Sequence, residues 1–132
     1  MTPLNIAVFL LSLAGFVALA AGMSKHAKHL LRRELPNLRA AWRLARDRGS
    51  LDTAVTIVTS LFDAIEYRDL IEIRSWADEL VDDTDLANHP SASVAYAAAA
   101  EAVYHRGDYQ RAEQLSKMGM ERASDAEQTC HC

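Results

Sequence analysis

The residues best equipped for chemistry stand at the C-terminus, where Cys130, His131 and Cys132 follow one another. Thiolate and imidazole are zinc and copper ligands, and two thiols one residue apart can form a reactive disulfide. Three ligands on a chain end, with no second ligand pair elsewhere, make a poor structural metal site, so residues 125–132 read as a disordered tail. His26 and His29 stand at i, i+3 and could grip a metal from one helix face. Lys25 and Lys28 interleave with them and would oppose a bound cation, so a basic collar is the better reading. His89 before Pro90 and His105 near Gly107 are single histidines suited to surface or capping positions. Asp82, Asp83 and Asp85 lack the glycine and distal glutamate of an EF-hand loop and read as a solvated loop. No serine, histidine and acid arrangement supplies an activated nucleophile with its orienter. The expectation is a protein that is not an enzyme, with no catalytic residue, no cofactor and no metal ligand.

Charge narrows the partners. Residues 1–50 carry eight Lys/Arg against Glu34 and Asp47, 8 − 2 = +6, whereas residues 51–132 carry six against sixteen Asp/Glu, 6 − 16 = −10. An acidic C-terminal half is repelled by phosphate backbones, which argues against nucleic acid as its partner. With 132 residues the chain has room for one compact domain and an appendage, and its two cysteines exclude a disulfide framework.

The appendage is the run from Leu4 to Met23, which holds no charged residue. About 20 residues at about 1.5 Å each span roughly the 30 Å hydrocarbon core of a bilayer. Lys25, Lys28, Arg32 and Arg33 follow it, and no basic side chain precedes it. The positive-inside rule then places the C-terminal side in the cytoplasm, giving a single-pass anchor in the cytoplasmic membrane. Two other readings stay open. Ala18-Leu19-Ala20 resembles a signal-peptide cleavage site, although the basic n-region is missing, and the alanine-rich run could instead pack as a helix within a helical array. In that last case the protein is cytoplasmic. Ala14, Ala18 and Gly22, four residues apart, would let two such helices approach, so self-association is a further possibility.

Beyond the collar every periodic segment is helical. Leu38, Ala41, Trp42 and Ala45 form one stripe after Pro36, which suits a first helical turn; Gly49 suits a C-terminal cap and Ser50 an N-cap. Residues 51–66 are apolar on more than one face. Their V-T-I-V-T run would also suit a strand, but sixteen residues without Gly or Pro favour a buried helix. A break near Arg68-Asp69 precedes the stripe Leu70, Ile73, Trp76, Ala77 and Leu80. A polar stretch over 82–90 precedes Ala92, Ala95, Tyr96, Ala99 and Val103. Gly107-Asp108 is a stop and a start before Tyr109, Ala112, Leu115, Gly119 and Ala123. Few glycines and prolines leave little material for the turns of a many-stranded fold. The expected fold is all-α, with five helices over 34–124 arranged as antiparallel hairpins. The turn patterns at 68–73 and 107–112 recur 39 residues apart, as in a two-helix repeat.

The segment Y-H-R-G-D-Y-Q-R-A-E-Q-L resembles the turn and second helix of a tetratricopeptide repeat (TPR), with Tyr96, Ala100, Gly107, Tyr109, Ala112 and Gly119 at that repeat's aromatic, small and turn positions. R-R-E-L-P-N-L-R-A-A-W-R-L-A-R-D-R-G-S followed by R-S-W-A-D-E-L resembles the helical-repeat region of bacterial signal-transducing ATPase regulators, among them LuxR-like and SARP-like transcription factors and adenylate cyclase-like proteins. In those proteins the region follows a nucleotide-binding module and relays a signal by protein contact. No G-x-x-x-x-G-K-[ST] occurs here. The resemblance therefore implies a stand-alone or truncated copy of the sensor region, lacking the ATPase.

Two functions follow as expectations. One is a membrane-anchored interaction module that binds a partner peptide or helix through TPR-like pairs. Trp42, Trp76, Tyr96 and Tyr109 are its candidate anchors, and Gly49, Gly107, Ala112 and Gly119 its turn and packing positions. The other is a regulatory remnant acting in trans on an ATPase or transcription regulator. For each aromatic residue, plain core packing is the competing reading.

Overall fold

The computed structural model describes residues 24–62 and 71–130. Within them the chain is all-α, without a strand, and divides into two compact units, Met1–Ala64 and Ile65–Cys132. The apolar run 4–23, the break at Arg68-Asp69 and the terminal His131 and Cys132, hence the cluster they form with Cys130, lie outside the described residues.

The first unit pairs α1 (Ser24–Asp47) with α2 (Leu51–Ser60). Leu31, Leu38, Ala41, Trp42 and Ala45 are buried along one side of α1, the side that the periodicity marks as apolar. Pro36 does not open this helix but lies inside it. A proline there has no N–H for the carbonyl four residues back, yet its exposed position and the buried leucines on either side, Leu31 and Leu38, hold the segment helical. The collar and the amphipathic stretch are thus one continuous helix.

Its end follows the Schellman pattern. Gly49 has φ +65, its N–H donates to the Arg46 carbonyl at 3.2 Å, and the Ser50 N–H donates to the Ala45 carbonyl at 2.8 Å. Ser50 stands at the N-cap of α2 but does not cap it through its side chain; the hydroxyl donates to Thr53 Oγ1 at 2.9 Å. In α2 the V-T-I-V-T run is helix. Thr56 and Thr59 turn their hydroxyls onto the Asp52 and Val55 carbonyls, both at 2.8 Å, while Val55, Ile57 and Val58 are buried. The helix ends at Ser60, with Leu61 at its C-cap, and residues 63–66 of the expected helix lie outside the described residues.

The second unit contains α3 (Ile71–Leu80), a 3-10 turn (Thr84–Asn88), α4 (Ala92–His105) and α5 (Tyr109–Cys130). Asp83 opens the 3-10 turn, its Oδ1 accepting from the Asp85 N–H at 3.0 Å, and Leu86 plugs the turn into the core. His89 carries the chain into α4, with Nδ1 accepting the Ser91 N–H at 3.0 Å. Helix α4 packs against both α3 and α5. Its buried Ala92, Ala95, Ala98, Ala99, Ala100 and Ala102 explain how, since alanine combines high helix propensity with a side chain small enough for close approach on two sides. Helix α5 reaches Cys130, past the point where the sequence reading begins its tail.

Candidate functional site

The turn between α4 and α5 is built by three residues in sequence. Gly107 has φ +87; its N–H donates to the Tyr104 carbonyl at 2.9 Å, and the Asp108 N–H donates to the Val103 carbonyl at 3.1 Å. Only a residue tolerant of the left-handed region closes α4 this way. Asp108 then starts α5, with Oδ1 accepting from the Arg111 N–H at 3.1 Å, an aspartate N-cap. Farther along, Gly119 brings the helices together: a Cβ placed on it would lie 3.1 Å from the Ser93 carbonyl oxygen and 3.4 Å from Tyr96 Cβ. Ala112 and Leu115 are buried along the same seam. Arg106 ties the turn to α3, donating from Nη1 to Asp78 Oδ2 at 2.7 Å.

This frame sorts the aromatic residues. Trp42 and Trp76 are 4% exposed and Tyr96 3%, so all three are core side chains of their units, whereas Tyr109 is 64% exposed. Of the four candidate anchors, Tyr109 alone offers its ring to solvent. It does not stand by itself. Tyr104, 54% exposed, lies with its ring centroid 5.2 Å from that of Tyr109 at an interplanar angle of 58°, and His105 meets Tyr104 edge-on at 5.9 Å. His105 Nε2 is 3.0 Å from Glu101 Oε1, one turn back on α4.

Tyr104 is not among the four candidate anchors, and the signal that reveals it is periodic. Val94, Ala97, Glu101 and Tyr104 recur at i, i+3, i+7 and i+10, a single line on the side of α4 opposite its buried alanines. Val94 is also exposed. The result is a strip about three turns long on a helix held on its other sides by α3 and α5. Two apolar residues stand at one end, an aromatic pair at the other, and an acid–histidine pair between them.

No protein-family model, curated protein or solved structure matches the chain. Among the described residues no polar or charged residue is buried, and no group of three or more His, Cys, Asp or Glu is placed to hold a metal ion. Asp82, Asp83 and Asp85 lie at the 3-10 turn, where Asp83 is engaged with backbone. Among the described residues, too, no helix is long and apolar enough to cross a membrane.

Proposed function

We propose that this chain is a non-catalytic protein–protein interaction module, held at the membrane by residues 4–23, that binds a partner peptide or helix along the exposed line of α4. The observation that carries the reading is the line Val94, Ala97, Glu101 and Tyr104, joined at its end by Tyr109. Rigid aromatic rings that are half or more exposed, on a helix fixed by packing on its other sides, are what interface anchors require. Aromatic residues lose few rotamers on binding, so their contact area costs little entropy.

Helices α4 and α5 form, on this reading, one TPR-like unit. The supports are the glycine turn, the close approach at Gly119 and the small residues along the seam, which together favour stacking of further helix pairs beside it. Residues 4–23 supply the membrane anchor by length and lack of charge, with the helices on the cytoplasmic side.

Photo-crosslinking tests the docking line. A benzophenone side chain at Val94 or Tyr104 is expected to capture a discrete partner in host membranes, with competition by the unlabelled chain. The same group at Glu121, exposed on α5, is expected to capture none. Equal capture at all three positions, or capture that the unlabelled chain does not compete, refutes a specific site on α4.

A further inference from the structure

The turn between α4 and α5 gathers groups of the kind that hold an arginine side chain. The Tyr104 and Tyr109 rings, 5.2 Å apart between centroids, are inclined at 58° and so do not stack flush. Both residues are more than half exposed, which leaves ring surface open to a ligand, and the face of a phenol ring attracts a cation. Glu101 stands one turn before Tyr104 on the same line of α4. His105 Nε2 meets Glu101 Oε1 at 3.0 Å, and both side chains are partly exposed. A carboxylate accepts at both oxygens, so this pair admits a second donor. The charges around the turn have the sign that a cation needs. Tyr104 and His105 end α4, whose last carbonyls favour positive charge. The positive end of α5 is offset by Asp108, which caps it. Arg106, the turn's own cation, is paired with Asp78 at 2.7 Å, and Arg111 lies two residues past Tyr109, on the other side of α5.

We infer that Tyr104, Tyr109 and Glu101 receive an arginine of the partner segment, its guanidinium lying against a phenol ring while an N–H donates to the Glu101 carboxylate. Arginine is selected over lysine because its flat guanidinium can stack on a ring and donate to a carboxylate at once, whereas an ammonium is a compact, strongly hydrated point charge. Charge complementarity extends beyond the turn, since residues 51–132 hold six Lys/Arg against sixteen Asp/Glu and favour a basic segment. The inference rests on the docking line of α4 and adds the chemistry of what docks there. Val94 and Ala97 take an apolar residue of the same segment. Val94 and Tyr104 are about 15 Å apart along α4, so that apolar residue and the arginine stand about ten positions apart in a helical partner and about five in an extended one.

The test pans a random-peptide phage library on the immobilised full chain. Each clone is then screened on a Tyr104→Ala/Tyr109→Ala chain, a Glu101→Gln chain and a Val94→Lys chain, all unchanged in circular dichroism. Clones that need the two rings are expected to carry arginine at about threefold its frequency in the library. In synthetic peptides made from them, replacing that arginine by neutral citrulline is expected to raise Kd about fivefold or more, and lysine to restore only part of the loss. The citrulline effect is expected to shrink on the Glu101→Gln chain, which rings that merely bury apolar surface would not produce. Arginine enrichment that survives loss of both rings reflects general attraction to the acidic half and overturns the inference. Clones that need the rings and Val94 but bind equally well with citrulline overturn it too, and leave the docking line of α4 in place. Clones that need the rings and arginine but tolerate Val94→Lys keep the arginine site and remove the line. A library that yields no ring-dependent clone removes both.

Discussion

Two glycines act on this chain in opposite ways, one through conformation and one through space. At Gly107 nothing would meet a Cβ, but φ is +87, so the penalty of a side chain is paid in the backbone. Gly107→Val is expected to lower stability by about 1 kcal/mol or more, because a β-branched residue is strained in the left-handed region. A urea midpoint equal to wild type would show that the chain turns elsewhere. At Gly119 the backbone is ordinary helix and the crowding is external, with Ser93 O and Tyr96 Cβ as neighbours. Gly119→Ala sets a helix-propensity gain of about 1 kcal/mol against a contact tight by a few tenths of an ångström, so the two nearly cancel. Gly119→Leu has no such offset and is expected to cost about 1–3 kcal/mol by forcing α4 and α5 apart. Undiminished thermal stability of that variant would mean the seam is looser than the structure has it.

Each helix is specified by a stripe and a stop, and those two signals differ in how far they carry. The stops at 49 and 107 are local chemistry: a glycine, the two carbonyls it caps and a polar residue to begin again. The sequence shows them directly. Pro36 shows the limit of local rules, because burial of Leu31 and Leu38 on either side keeps α1 helical through a residue that favours a start. Leu38→Ala is expected to cost about 2–5 kcal/mol, as the side chain is wholly buried, and denaturant titration measures it. The Asp78–Arg106 pair between α3 and the α4–α5 turn is shorter than most ion pairs but partly open to water, so it contributes little. A double-mutant cycle on the two is expected to give a coupling of about 1 kcal/mol or less, shrinking with added salt. A coupling of several kcal/mol would mark the pair as a structural clamp.

At the scale of the whole molecule, the charge division is the property with the widest consequence. The basic first part adjoins the uncharged run, and the acidic remainder carries the charge sign that anionic lipid repels. If residues 4–23 anchor the chain as proposed, carbonate or high-salt washing of membranes is expected to leave the full chain in place, since a spanning helix does not depend on charge, while a chain beginning at Ser24 is expected to be soluble and still helical by circular dichroism. Release of the full chain by salt alone would remove the anchor, and unfolding of the shorter chain would place the apolar run within the packed fold. By itself the sequence determined the all-α class, the glycine stops, the break in the helices over 82–90 and the apolar stripes, because each depends on residues a few positions apart, whereas the 3-10 turn that buries Leu86 within that break was not legible. Tertiary structure alone decided which aromatic residues are interior. Trp42, Trp76 and Tyr96 share their spacing with core and with docking surfaces alike, and periodicity names a helix side without naming its neighbour. Only the packing of α3 and α5 on α4 shows which side is left to water, and there Tyr104 and Tyr109 stand.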